Sequence, residues 1–173
     1  MSGHSAPLAK LMLIPDAWSK KSKILPNNQL KLFNFLNSTM EPWDGPAALA
    51  GTDNEWVIAA SDRNGLRPLR FTITRDKLLF AGSETGMVDL NEKKIIRKGR
   101  LGPGEIIGVR IEKGKVFTNS EIKDYLAKEY KHFNNQIIDL DKKIHVENEK
   151  FIYEGSDLRR RQHTFGYSLE DLE

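Results

Sequence analysis

The sequence predicts an α+β fold built mainly on antiparallel strands, and three observations carry that prediction. Apolar residues recur at helical spacing between Asn27 and Met40. From Gly45 to Thr118 the pattern changes to short apolar runs separated by polar turns, and helical spacing returns after Asn119. A core-facing helix needs an apolar side chain every three or four residues, whereas strands are short runs bounded by turn formers. With 173 residues the chain has about the length of one domain, ~100–200 residues. A domain of that size buries roughly 70% of the surface its unfolded chain exposes.

Residues 8–14 are apolar and stop at Pro15. Proline lacks an N–H and clashes with the preceding turn, so this stretch reads as the last turns of a helix or as a strand. In residues 27–40 the stripe is Leu30, Phe33, Leu36 and Met40, widened by Leu32 and Phe35. Asn27 or Asn28 is the expected N-cap, and Pro42 follows the end. Residues 47–50 and 56–60 read as strands joined by a turn at Thr52-Asp53-Asn54. Asp62-Arg63-Asn64-Gly65 is a turn in which Gly65 can take a positive φ. Residues 69–73 and 78–81 make a hairpin, and 94–97, 106–111 and 116–118 complete the strands. Strands joined by short turns pair antiparallel, so the expected arrangement is a meander. A helix follows from Asn119 or Ser120 to about Lys131, with Ile122, Tyr125, Leu126 and Tyr130 on one side. Residues 133–144 read as a second short helix, and 147–161 as a charged, aperiodic linker. Ser168, with Asp171 three residues on, has the form of a capping-box start.

Composition excludes several classes. There is no cysteine, so these residues supply no disulfide, no thiolate zinc or iron–sulfur ligand and no cysteine nucleophile. The 27 Lys and Arg nearly balance 24 Asp and Glu, and a net charge of +3 lacks the one-sidedness of a nucleic-acid binder. Apolar runs such as 11–14 and 47–50 are four residues long, against ~20 for a membrane-spanning helix. The N-terminus lacks the basic-then-apolar layout of a secretory signal. The expectation is a soluble, cytoplasmic chain with no nucleic-acid partner and no membrane association.

Local motifs are weak when taken one at a time. His4, His132, His145 and His163 are too dispersed for a metal motif such as H-E-x-x-H, so no metal site is expected. The basic run 93–100 has no aromatic residue for base stacking and reads as a strand with one solvated face. Arg159, Arg160 and Arg161 read as a linker or an inter-domain contact. Ser83 beside Glu84 lacks the G-x-S-x-G elbow of a serine nucleophile. Asp62 beside Arg63 at a turn reads as a pair that satisfies backbone groups or binds its neighbour by charge-assisted hydrogen bonds. Glu41-Pro42-Trp43-Asp44-Gly45-Pro46 demands a rigid connection.

Together, several blocks resemble the glutamine amidotransferase domain of the glutamate synthase large subunits. They are Leu11-Met12-Leu13-Ile14-Pro15-Asp16-Ala17-Trp18, Met40-Glu41-Pro42-Trp43-Asp44-Gly45-Pro46 and Asp62-Arg63-Asn64-Gly65-Leu66-Arg67-Pro68. Gly82-Ser83-Glu84-Thr85-Gly86 and Lys98-Gly99-Arg100-Leu101-Gly102-Pro103-Gly104 follow in the family's order. Arg160-Arg161-Gln162-His163-Thr164-Phe165-Gly166-Tyr167 resembles the entry to that enzyme's central domain. The resemblance implies part of an αββα N-terminal-nucleophile hydrolase sandwich. It implies an amidotransferase portion over residues 1–140, with a linker and the start of the central domain over 141–173.

The resemblance also implies the parent chemistry. An N-terminal cysteine, with its own α-amine as base, forms a thioester with glutamine. The ammonia released passes to 2-oxoglutarate, and the resulting imine is reduced by FMN fed by an iron–sulfur cluster. By the same resemblance the cysteine and the substrate-binding groups fall before the segment matching Leu8, and the flavin and cluster regions after Glu173. The expectation is therefore an inactive fragment with no cofactor of its own, whose partners are the rest of the large subunit, with self-association through exposed strand edges. Asp62, Arg63, Asn64, Gly65, Arg67, Pro68, Ser83 and Glu84 carry the family motifs and read as structural, with no catalytic or substrate-binding residue among them. A direct role for the Asp62 turn in catalysis is the lesser alternative. Two rival readings are another class II amidotransferase, such as an amidophosphoribosyltransferase or asparagine synthetase, and a non-catalytic β-rich binding module.

Overall fold

The computed structural model describes residues 3–16, 25–132 and 153–167. They fall into two compact units, one within Met1–Ile137 and one within Ile138–Glu173.

In the first unit, α1 (Ala6–Leu13) is a helix with Pro7 in its first turn, where a missing N–H costs nothing. It settles the choice left open for residues 8–14, and it buries Leu8 and Leu11 one turn apart. α2 (Asn27–Thr39) starts from Pro26 rather than from an asparagine cap. Its buried face is Gln29, Leu32, Phe33 and Leu36, turned from the expected stripe so that Met40 is exposed. The reason is polar: Gln29 donates to Asp124 Oδ1 at 2.8 Å, so an amide occupies a core-facing position. α3 (Asn119–Glu129) is preceded by Thr118, whose N–H and hydroxyl both donate to Glu121 at 2.9 Å. That capping box supplants the expected Asn119 or Ser120 start.

The strands are β1 (Ala48–Thr52), β2 (Trp56–Ser61), β3 (Leu69–Thr74), β4 (Leu79–Gly82), β5 (Ile95–Leu101), β6 (Ile106–Arg110) and β7 (Lys115–Phe117). All pairings are antiparallel, as expected, but the meander is not what forms. The strands divide into a four-stranded sheet of order β1-β2-β6-β7 and a three-stranded sheet of order β4-β3-β5. The chain leaves the first sheet after Ser61 and returns at Ile106. Hence β2 pairs with β6 (Ala60 opposite Ile106) and β3 with β5 (Leu69 opposite Leu101).

Alternation along β2 explains the layering. Trp56, Ile58 and Ala60 point to the helices and join Leu8, Leu11, Phe33, Leu36, Ile122 and Leu126 in one core. Ala59 points the other way and packs with Ile107, Leu69, Phe71 and Leu101 between the sheets. The described residues thus supply a helical layer, a sheet and a second sheet. Burying two faces of one sheet drives this arrangement, because each buried aliphatic side chain contributes ~1.5–3 kcal/mol.

In the second unit, residues 155–164, expected to lie mostly in a linker, form helix α4 (Gly155–Thr164). Local contacts support it: Asp157 pairs with Arg161 at 3.2 Å, and the Arg161 guanidinium lies 3.9 Å over the Tyr153 ring. Such i,i+4 pairs help a helix without any apolar stripe. The helix expected at 133–144 and the capping box at Ser168 lie outside the described residues. Among the described residues no helix is long and apolar enough to cross a membrane.

Candidate functional site

The family-motif segments converge on Asp62, just past the end of β2. Its carboxylate is buried and accepts four backbone N–H groups. Oδ1 takes Asn64 and Leu66 at 3.0 Å each, while Oδ2 takes Arg67 at 3.0 Å and Ala47 at 3.2 Å. Burial alone would raise its pKa, but those four donors hold it below the usual carboxylate value. The backbone adds to the junction: Asp62 N–H donates to the Ala47 carbonyl at 3.0 Å, and its own carbonyl accepts from Gly65 at 3.1 Å and Gly104 at 2.8 Å. One residue therefore ties the start of β1, the turn after β2 and the loop after β5 together.

Two glycines are required here. Gly65 has φ +65°, and a Cβ would lie 3.0 Å from the Pro103 backbone. Gly104 has φ +67°, and a Cβ would lie 2.8 Å from Asp16 Cα. No other residue fits this approach without moving backbone.

A buried charge cluster sits against the same loop. Lys10 on α1 and Lys123 on α3 are 5% and 3% exposed, where lysines are almost never found unless paired. Lys10 donates to the Gly104 carbonyl, and Lys123 to Asp16 Oδ2. Burial pushes Lys10 down to about 8; Asp16 opposes this, Lys123 adds to it, and Asp62 and Glu105 oppose it further. Asp16 Oδ1 is buried without a hydrogen-bond partner. Glu105 accepts from Gly102 N–H at 2.7 Å through Oε2 and, through its carbonyl, from Ser61 N–H at 3.0 Å. The Ser61 hydroxyl donates to the Gly102 carbonyl.

The other motif residues lie around this junction rather than in it. Arg63 is half-buried, whereas Asn64, Arg67 and Pro68 are exposed. Arg67 and Ser83 line one open cleft of about 350 Å³, with Ala48, Ala50 and Leu69 on its walls. Glu84 lies outside that cleft, in a shallow groove of about 80 Å³ beside Arg70 and Met87. The nearest partner of the Ser83 hydroxyl is the Met87 sulfur at 4.0 Å, so no base stands ready to activate it. Among the described residues no three His, Asp or Glu side chains group to hold a metal ion. Chemically this is a hydrogen-bonded brace in which Asp16 Oδ1 alone of the named carboxylate oxygens is buried without a partner, beside a cleft that opens between the sheets. Lys10, Asp16, Glu105 and Lys123 were not foreseen from sequence. The signals available were a lone lysine inside the apolar run at 8–14 and the place of Asp16 in the family-like block at 11–18.

The sequence model of the class-II glutamine amidotransferases matches residues 1–135. The glutamate synthase [NADPH] large chain of Azospirillum brasilense is 46% identical over 177 residues, which cover 99% of this chain and 12% of that protein. The corresponding Bacillus subtilis large chain is 33% identical, covering 100% of this chain and 11% of its own length. The ferredoxin-dependent glutamate synthase 2 of Synechocystis is 35% identical, with 99% and 11% covered. The chain thus spans about 12% of the length of the curated relative it matches at 46%.

Proposed function

Because this chain belongs to the class-II glutamine amidotransferases, we propose that it serves as the supporting half of the glutaminase domain in a glutamate synthase large chain. In that role it does not attack glutamine itself. It braces one end of the two-sheet layer, so that groups supplied from outside these 173 residues meet in fixed geometry. The observation that carries the reading is the convergence on Asp62: three segments that resemble the family's blocks, at Asp16, at Asp62–Arg67 and at Gly102–Gly104, are bound into one junction. Rigid support of this kind matters because a displacement of about 1 Å can cost ~100-fold in rate.

With no cysteine, the chain holds neither the nucleophile of this chemistry nor a thiolate for a cluster. An iron–sulfur cluster and FMN would be held by the remainder of a large chain, which would also be its partner. The cleft lined by Arg67 and Ser83 and the open edge of β1 are the surfaces that such regions, or a second copy, would cover. The reading places the protein in the cytoplasm, where this nitrogen chemistry draws on soluble substrates.

The test is a chimera in which this chain replaces the matching segment of the Azospirillum large chain. Glutamate formation is then measured with glutamine and, separately, with ammonia as nitrogen donor. The expected result is that both activities survive, while the 173-residue chain alone releases no ammonia from glutamine. A folded chimera that keeps the ammonia-dependent activity and loses the glutamine-dependent one would overturn the supporting role. Glutamine turnover by the isolated chain would overturn the assignment of the nucleophile elsewhere.

A further inference from the structure

Charge is segregated along this chain. Residues 62–101, which form the three-stranded sheet and its loops, carry ten Lys and Arg against five Asp and Glu. That is +5, whereas the whole chain is +3 and the remainder is therefore −2. Of the five acids, Asp62 is committed to backbone donors, Asp76 pairs with Lys94 at 2.9 Å, and Glu92 lies 3.6 Å from Lys98.

At the centre of this sheet Arg70 on β3 stands directly opposite Arg100 on β5, and Thr72 opposite Lys98 two residues on. Opposed residues in an antiparallel pair project to the same face, with Cβ atoms ~4.5–5.5 Å apart, and like charges there are destabilising. On its other side Arg70 faces Gly82 of β4, and Glu84, which lines the same groove, forms no ion pair with it. Leu69, Phe71 and Leu101, alternate with these arginines, are buried in the inter-sheet core; the arginines therefore lie on the face turned away from it. Both are exposed. Among the described residues neither makes an ion pair. An isolated fold gains nothing from two guanidinium groups side by side without an ion pair.

We propose that the end of the outer face of the β4-β3-β5 sheet where Arg70 and Arg100 are exposed, beyond the buried Thr72, is a docking surface for an acidic protein surface, with these two arginines as its paired anchor. Two neighbouring guanidinium groups can each take a carboxylate through two N–H donors, a geometry lysine cannot match. The partner fitting this face presents adjacent Asp or Glu side chains. A nucleic-acid backbone fits it worse, because no exposed aromatic residue stands on the strands to stack a base. This surface is independent of the glutaminase role.

The test uses the 173-residue chain and a fluorescein-labelled octaglutamate peptide as probe, with binding read by fluorescence anisotropy at low and at physiological salt. Replacing both residues, Arg70→Ala with Arg100→Ala, should weaken binding by about tenfold or more, 1.4 kcal/mol. Arg159→Ala with Arg160→Ala, which removes the same charge from the second unit, should leave binding within about twofold. Arg100→Glu sets a carboxylate opposite Arg70. It should abolish peptide binding while raising the thermal midpoint, a combination that a merely structural arginine would not produce. Equal losses from the two double variants would overturn the proposal, as would binding that survives Arg100→Glu or a lowered midpoint in that variant. A single-stranded oligonucleotide of equal charge binding more tightly than the peptide would overturn it in favour of a nucleic-acid face.

Discussion

Replacing Lys10 by methionine tests the buried charge cluster. In the unfolded chain this lysine keeps its proton up to about 10.5, whereas in the fold burial lowers that to about 8. Between those values the unfolded state binds more proton than the native state, so stability rises as pH rises and is level on either side. At ~1.4 kcal/mol per pH unit the gap corresponds to about 3 kcal/mol. At neutral pH, Lys10→Met removes that burden but leaves the Gly104 carbonyl without its side-chain donor, at a cost of ~1–3 kcal/mol. The two effects nearly cancel, and the variant should lie within ~2 kcal/mol of the parent. By pH 10.5 the parent has shed its burden, so the balance should have moved by about 3 kcal/mol in its favour. Urea unfolding followed by circular dichroism, for both proteins across this range, gives the difference directly. Tyr125 and Tyr130, whose pKa values are raised chiefly by burial, titrate in both proteins and drop out of the subtraction. A difference constant with pH to within about 1 kcal/mol would refute a strained, buried Lys10.

Two further perturbations address the junction itself. Asp62→Ala deprives four N–H groups of their acceptor and should cost about 4 kcal/mol, with Asp62→Asn intermediate. Because the Asp62 pKa is depressed in the fold, its contribution is present above the ordinary carboxylate range and is lost as pH falls through the native value. Asp62→Asn should therefore flatten the acid limb of the stability profile; an unchanged acid limb would count against the bonding described. Gly104→Ala should cost about 3 kcal/mol, since it combines a positive φ with a backbone clash. Gly114→Ala, with φ +55° and nothing within 4 Å, should cost about 1 kcal/mol. Thermal melts that rank the two equally would remove the argument from close approach.

Local rules located most elements and misjudged how they assemble. The strands at 48–52, 56–61, 69–74 and 106–110 are legible because short β-branched and apolar runs sit between Asp, Asn and Gly turns. Their division into two sheets is not, because it depends on β2 and β3 choosing partners 45 or more and 20 or more residues away and not on any turn. Gln29 misleads for a related reason: its partner Asp124 lies 95 residues along the chain. Helix 155–164 has no apolar stripe, so periodicity could not reveal it. At the candidate site, the turn chemistry of Asp62 and Gly65 is written locally and reads correctly as a turn. The lysines that complete the cluster are not so written. Nothing near Lys10 or Lys123 in sequence names Gly104 or Asp16, 94 and 107 residues away respectively. The family resemblance brought the right segments to notice, and the match over residues 1–135 agrees with it.

Those separations give the junction a place in time as well as in space. Closing a flexible loop of about 100 residues is entropically expensive, and the expense grows with the logarithm of length. The contacts from Lys10 to Gly104 and from Asp16 to Lys123 therefore gain little until the hairpins and helices between them have already shortened the path. They span the same stretch of chain as the packing of Leu8 and Leu11 against Ile122 and Leu126 in the helical core, so the junction and that core close together. The junction thus shares its closure with the helical core, so the arrangement of the cleft beside it reports that the two ends of the first unit have met.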